Sequence, residues 1–500
     1  LIKMETYKAI KVVVNQMIKT GSFPDLLKIA KVIPIYKKND TTLCENYRPI
    51  SILPAISKVF ERVIFNQTHQ YFKVNNLYYA SQYGFRECHS TELASYELID
   101  SILAEMDKGN IPINIYMDLS KAFDTLDHEI LLQKLSYYGI KDTNLKLFES
   151  YLQNRKQYVT IDDVNSHQLN ITTGVPQGSI LGPLLFIIYI NDIIVASNSF
   201  KFIIYADDTT LSSTLNFFDK QSENSNTSQT INAELAKVNT WLKVNKLSLN
   251  ITKTKFMLFY RPLKKVSIPY LEIDEVQIDC VDNFNFLGLT LDKNMNWNKH
   301  IQKISTKVSQ KVGIINKLKS FLSVKILLLL YNSLILPHLH YCLLAWGQKL
   351  ERLSNIQKRA ARIITNSGFN AHSEPIFKGL KLLKLGDIYK LQLLKFYYKL
   401  KNDKLPLYFN SIPLFTNETI HNYNTRRRCN MFITRTSRLY TTQGIRHQLV
   451  HVLNDTPDSI KTKVNTHSFQ GFSTYIKRYY IGKYETECHI QNCYICYSGR

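Results

Sequence analysis

Hydrophobic positions recur every three to four residues over long stretches of the chain, and every two residues or in short unbroken runs over others. Residues 1–30 carry Ile10, Val13, Val14, Met17 and Ile18 on one helical side. Phe23-Pro24-Asp25 restarts the chain, and Ala30–Lys38 alternates as a strand with a basic end. A polar loop leads to a second strand over 46–53, and helices are expected over Ile56–Phe72 and Ser90–Asp107. A short β-type run from Ile113 climbs to Asp118. Asp127 caps a helix to Tyr138, with Gly139 as its stop. Phe148–Lys156 is a helix end and Tyr158–Ile161 a strand. The Gly-Pro loop Gly174–Gly178 opens onto a helix over Leu184–Ile194. Phe202–Leu211 reads as strand, tight turn and strand, with Asp207 and Asp208 at the tip. Gln221–Thr230 is a polar surface loop, and Ile231, Leu235, Val238, Trp241 and Leu242 mark a helix face. His300–Lys319 sets Ile301, Ile304, Val308, Val312 and Ile315 opposite its lysines. The longest apolar stretches, Ser179–Ile190 and Ile326–Leu336, are too short to span a bilayer and read as buried helices.

Composition narrows the class. A chain of 500 residues with 45% hydrophobic and 12% aromatic residues supports about two to four domains with large cores, not global disorder. Lys plus Arg number 63 against 40 acids, giving +23, a balance suited to a polyanion such as nucleic acid or an anionic membrane. The basic residues are spread along the chain, which fits a long groove better than a sticky arm. The eight cysteines follow no disulfide framework and no secretory signal precedes them, so a reducing compartment and no secretion are expected. The chain starts at Leu1 directly inside a helix, so an upstream portion is expected.

The tip of the Phe202–Leu211 hairpin carries the first chemical signal. Two neighbouring carboxylates repel and lose water there, where Asn-Gly or Asp-Gly would turn the chain more easily. A hard divalent cation would relieve that charge. Asp118 ends another short strand far upstream, so the acids meet only if the fold sets two strands side by side. Three carboxylates on adjacent strand ends can hold two Mg²⁺ ions about 3.5–4 Å apart, the clamp for in-line phosphoryl transfer.

Tyr205-Ala206-Asp207-Asp208 resembles the catalytic box of reverse transcriptases, and Met117-Asp118-Leu119-Ser120-Lys121-Ala122-Phe123-Asp124 their first acidic motif. Between them, Gly174-Val175-Pro176-Gln177-Gly178-Ser179-Ile180-Leu181-Gly182-Pro183 resembles the loop that meets template and nucleotide. The order and spelling are most similar to non-LTR retrotransposons of the jockey and chicken-repeat type.

The resemblance implies an α+β right hand of fingers, palm and thumb, with an antiparallel palm sheet carrying all three acids. It implies fingers and palm over 1–260, primer grip and thumb over 261–345, and a basic α-rich C-terminal extension over 346–500. It implies RNA-directed DNA synthesis with two Mg²⁺ ions, or Mn²⁺, at Asp118, the carbonyl of Leu119, Asp207 and Asp208, with Asp208 helping more by charge than by contact. Lys37, or its neighbour Lys38, and Arg48 match the positions that hold the triphosphate; the planar fork of Arg suits paired phosphate oxygens. Phe123 matches the ring that excludes a 2′-hydroxyl. Gln177 and Gly178 match the contact with the nascent base pair. Lys253, with Lys255 as a competitor, matches the lysine that protonates pyrophosphate. Phe286-Leu287-Gly288 resembles the primer grip, His300–Lys319 the thumb helix, and Gln82-Tyr83-Gly84-Phe85-Arg86 the fingers segment along the template. The expected partners are an RNA template, a DNA primer, their RNA–DNA duplex and deoxynucleoside triphosphates, with no membrane.

By the same resemblance an endonuclease would lie upstream and the primer would be nicked chromosomal DNA. That places the protein in the nucleus, and in the cytoplasm before import. The alternatives are an inactive remnant that binds RNA without copying it, and an intron-encoded maturase, whose helical domain or downstream nuclease is not visible. Asn422–Arg428, with Arg435 and Arg438, is a basic tract for RNA or a nuclear address. At the end, Cys493 and Cys496 have knuckle-like spacing beside Cys488 and His489, but adjacent Cys and His rarely serve one ion and no later His follows, which argues against zinc.

Overall fold

The computed structural model describes residues 4–216, 227–410, 412, 414–420, 430–433 and 440–485. The tract Asn422–Arg428, Arg435, Arg438 and the cysteines from Cys429 onward lie outside these residues, as does most of the polar loop 221–230.

The centre of the molecule is a five-stranded palm sheet ordered Asp279–Cys280, Lys255–Leu258, Pro112–Met117, Asp208–Thr214, Lys201–Tyr205. Its middle strand is buried throughout, as a strand covered on both faces must be. Alternation along the strands sends side chains into two cores. Ile113, Ile115, Met117, Phe202, Ile204 and Phe256 point to one, and Tyr116, Ile203 and Met257 to the other. The first core holds the helix Leu181–Ile190, which is apolar all round and buried. The second contains the helix Thr91–Asp107 and runs on into the thumb and the C-terminal helices.

The sheet departs from the expected antiparallel one. Four strands are antiparallel, but Asp279–Cys280 lies parallel to Lys255–Leu258. The chain leaves the sheet after Leu258 and passes through the small hairpin Glu272–Gln277 before returning, and that crossover length permits a parallel pair. The palm sheet therefore contains a strand beyond residue 260.

The fingers are a second sheet, in which Ile29–Tyr36 pairs antiparallel with Tyr47–Ile52 and parallel with Arg155–Ile161. The thumb helix is Asn298–Leu318, with Ile301, Ile304, Val308, Val312 and Ile315 buried as expected. The stretch Ile326–Leu336 is not the buried helix its sequence suggests. It begins in Val324–Leu330 and loosens into a π-type turn over Tyr331–Ile335, and Ile326 and Leu329 face solvent. Among the described residues no helix is long and apolar enough to cross a membrane.

The C-terminal helices Glu351–Ile364, Leu385–Lys401, Ile445–Asp455 and Phe469–Gly482 pack as one body with the thumb. They also grip the palm from behind. Tyr408 donates to Asp100 Oδ2 at 2.8 Å, Arg446 Nε bonds the same oxygen at 3.2 Å, and the amide of Tyr440 reaches Asp107. Asp100 and Asp107 belong to the helix Thr91–Asp107 that backs the palm sheet.

Candidate active site

The two strands of the central hairpin are joined by Ala206 and Asp207. Ala206 holds φ at 56°, a left-handed conformation that costs a non-glycine residue about 1–2 kcal/mol. Its neighbours compensate. Ile204 pairs with a third segment: its amide donates to Ser81 O at 3.0 Å, and its carbonyl accepts from Tyr83 N at 2.7 Å. Gly84 then passes so close to the turn that a Cβ there would sit 2.4 Å from Ala206 N, so no larger residue fits. The segment Gln82–Arg86 thus braces the hairpin. Arg86 is spent on the carbonyls of Tyr79 and Gln82 and on the ring of Tyr78, not on a template.

Behind the hairpin, Glu97 is wholly buried on the helix Thr91–Asp107. It accepts from Ser81 and Tyr83 and pairs with Lys201 at 2.7 Å. Lys201 also lies over the ring of Tyr408, linking the C-terminal extension to the hairpin.

Strand register brings the acids together. Met117 lies opposite Thr209 in an antiparallel pair, so the next residues at that end of the sheet are Asp118 and Asp208, with Asp207 in the turn beyond. The protein around Asp208, and then the charges of Asp207 and Asp118, push its carboxyl up to about 6. Burial raises Asp207 as well, and Asp118 adds to it, while Arg48 and Lys37 draw it back down. Of Lys37 and Lys38, it is Lys37 whose charge bears on the acids. Among the described residues no three His, Cys, Asp or Glu side chains close into a finished metal cage. The donor set is nonetheless what a hard cation takes: carboxylate oxygens carrying more negative charge than the site relieves by itself.

Around the acids, Asn250 donates its amide to Asp118 O at 2.8 Å, and Leu119-Ser120 pairs with Ser248-Leu249. The turn that follows aims Lys253 Nζ at Asp118 Oδ2, 3.4 Å away. Lys255 points elsewhere and pairs with Asp279 at 2.7 Å.

Phe123 is half-buried. Its ring lies 4.6 Å from that of Phe186 and 6.1 Å from that of Phe85. The carbonyl of Phe123 accepts from Val175 N, joining the first acidic motif to the Gly-Pro loop. Gln177 donates from Nε2 to Asp124 Oδ1 at 2.9 Å, and its carbonyl accepts from Ser51 N of the fingers. Gly178, at φ 128°, leaves no room for a Cβ, which would meet Ser51 O at 2.5 Å.

One residue that holds this loop was not read from the sequence. Glu61, buried on the helix Ala55–Val74, accepts from Ile180 N at 2.6 Å and Leu181 N at 3.4 Å, capping the helix Leu181–Ile190. Burial raises its carboxyl, and the charge of buried Arg155 works against that rise. The only signal was an acid on the apolar side of an amphipathic helix.

The hairpin Asn283–Phe286 and Leu289–Asp292 turns through Leu287 and Gly288, both at positive φ (43° and 86°). Phe284 stacks on Tyr116 of the palm at 3.9 Å, and Phe286 is buried 5.9 Å from the same ring. Tyr341 donates its hydroxyl to Leu287 O, fixing the turn to the residues after the thumb.

A palm whose central hairpin presents adjacent acids beside a third, with a basic fingers hairpin over them and a helical thumb, is the architecture of a right-hand nucleic-acid polymerase. The chain belongs to the reverse transcriptase (RNA-dependent DNA polymerase) family, whose model matches residues 35–291. It is 26% identical over 392 residues to the probable RNA-directed DNA polymerase from transposon X-element of Drosophila melanogaster, covering 76% of this chain and 42% of the relative. It is likewise 26% identical over 405 residues to the RNA-directed DNA polymerase from mobile element jockey of the same organism, covering 78% and 43%. The chain thus spans about two fifths of the length of these relatives. Enzymes of this family use divalent metal ions and act on an RNA template and nucleotides.

Proposed function

We propose that this chain copies retrotransposon RNA into DNA. The observation that carries the reading is the convergence of Asp118, Asp207 and Asp208 at one end of the palm sheet, under a basic fingers hairpin. Asp118 and Asp207, with the carbonyl of Leu119, would hold two Mg²⁺ ions (Mn²⁺ as substitute), and Asp208 contributes chiefly charge. When bound, such ions lower the pKa of a primer hydroxyl and neutralise triphosphate charge.

The chain's own residues supply the rest. Arg48 and Lys37 bind the triphosphate oxygens, Arg48 through its planar fork. The ring of Phe123 occupies the space of a 2′-hydroxyl and so selects deoxynucleotides. Gln177 and Gly178 bring backbone and amide against the nascent base pair. Phe286, Leu287 and Gly288 press on the primer near its 3′ end, and the thumb helix lies along the RNA–DNA duplex. The primer 3′-hydroxyl gives its proton to water as its oxygen bonds the α-phosphorus, the bond from that phosphorus to pyrophosphate breaks, and Lys253 gives its own proton to the leaving oxygen. By the analogy with jockey-type elements, the primer is nicked chromosomal DNA and the site of action the nucleus.

The test is extension of a DNA primer on an RNA template with deoxynucleotides. Product should require added Mg²⁺ or Mn²⁺, vanish on chelation and return when the ion is restored. Absence of extension with deoxynucleotides, extension only when ribonucleotides are supplied in their place, or extension indifferent to chelation would overturn the reading.

A further inference from the structure

Three lysines of the C-terminal extension converge without a counter-charge. Lys395 and Lys399 lie one helical turn apart on Leu385–Lys401, with their ammonium groups 5.9 and 5.7 Å from the centre of the Phe469 ring. Lys477 stands two turns further along the helix that Phe469 begins. Burial lowers the pKa of Lys395, and the charges of Lys399 and Lys477 add to it. His340 faces the same two lysines: burial, and then Lys395 and Lys477, hold its imidazole down to about 4. The ring stays neutral there and relieves nothing. Among the described residues none of the three lysines forms an ion pair. Other lysines of the extension do, such as Lys384 with Glu374 and Lys461 with Asp458.

Like charges gathered without an acid cost free energy that a bound polyanion recovers. Aromatic rings interleave with the cations. Half-exposed Phe469 lies beside both Lys395 and Lys399, and half-exposed Tyr475 faces Lys463. Ammonium groups that follow a phosphate backbone, beside rings on which bases stack, make a track for single-stranded nucleic acid.

We propose that Lys395, Lys399 and Lys477 form a second polynucleotide-binding site, separate from the palm cleft, that takes the phosphodiester backbone of a single strand beside the Phe469 ring. The site does not depend on the catalytic reading, because it is measured by binding without turnover.

The full chain is first saturated with an unlabelled short primer–template hairpin to fill the cleft. Fluorescent oligouridylate or oligothymidylate of about 15 nucleotides is then titrated at several salt concentrations. The second strand should still bind. In K395Q/K399Q/K477Q its affinity should fall at least tenfold, and the slope of log affinity against log salt should flatten by about 2, or 0.7 for each lost phosphate contact. Extension of the short hairpin should be unchanged in that variant, which also reports that it is folded. The K395R/K399R/K477R variant should keep both binding and slope. Preference for oligouridylate assigns the track to RNA, and preference for oligothymidylate assigns it to DNA. Full competition by the short hairpin, an unaltered slope in the Gln variant, or binding to anionic lipid vesicles in place of oligonucleotides would overturn the proposal.

Discussion

Lys253 directs its ammonium at Asp118, 3.4 Å away, while Lys255, two residues on, is tied to Asp279 on the neighbouring parallel strand. Lys253 stands in the turn before the strand and Lys255 is the strand's first residue, paired with Asp279's strand, so two lysines that are equivalent on paper are separated by the end of the turn. Lys253→Ala should therefore lower single-turnover extension by about 10²-fold or more, in the range for lost proton transfer. Lys255→Ala, which removes only a partly exposed ion pair, should change stability by at most about 1 kcal/mol and leave the rate near normal. The reverse pattern would assign the proton donor to Lys255.

Gly84 is the point where the brace meets the catalytic turn. Gly84→Ala would place a methyl against the Ala206 amide and displace Asp207 and Asp208 together. Extension should fall at least tenfold, the circular-dichroism spectrum should show a folded chain, and stability should drop by about 1–3 kcal/mol. Full activity in this variant would show that the turn tolerates movement the geometry forbids.

Glu61 supports the Gln177 loop through the two amides it caps, and it shares its buried site with Arg155. Glu61→Ala leaves those amides and a buried guanidinium without their anion, so denaturant unfolding should register a loss of about 3–5 kcal/mol. Glu61→Gln keeps an acceptor and should lose less. Equal stability of all three proteins would remove Glu61 from the account.

Buried His300 and half-buried His89 and His340 contribute to the response to acid. Burial is the main cause in each, and positive neighbours add to it: Arg86 for His89, Lys303 and Lys307 for His300, Lys395 and Lys477 for His340. All three are held down to about 4 from an ordinary 6.5. Each therefore binds its proton more weakly when folded than when unfolded. Their stabilising contribution is whole above about 6.5 and is lost as the pH falls toward 4. At His300 the loss has a visible target, the bond its Nδ1 accepts from Thr290 N. The apparent Tm at fixed scan rate should drop steadily over that window, and less steeply in His300→Asn. Parallel curves for the two proteins would exclude His300.

Phe123 packs against Phe186 and Phe85, so its ring is held in place and cannot swing aside for a 2′-hydroxyl. Phe123→Val should raise ribonucleotide incorporation relative to deoxynucleotide by about tenfold or more in direct competition. Unchanged discrimination would sink the sugar-gate role.

The acids were legible because each ends a short apolar run, a pattern that fixes both the strand and the end of the sheet. The helix after the Gly-Pro loop, expected over Leu184–Ile194 and found over Leu181–Ile190, was legible from its unbroken apolar run, and the thumb helix from its periodicity. What stayed hidden depends on contacts between distant residues. Glu61 meets Ile180, Glu97 meets Lys201, and Tyr408 meets Asp100, and no local pattern announces such partners. The motif Gln82–Arg86 was legible as a segment, but the bonds of the Arg86 guanidinium to the carbonyls of Tyr79 and Gln82 were not. In the run Ile326–Leu336, hydrophobicity gave the helix but not its exposure.

The central claim is that the three palm carboxylates drive RNA-templated DNA synthesis. Primer extension on an RNA template with Mg²⁺, comparing the chain with Asp207→Ala/Asp208→Ala, addresses it directly. The account predicts product from the unaltered chain and none from the double variant, with RNA binding retained by both. Equal extension by the two proteins would contradict it.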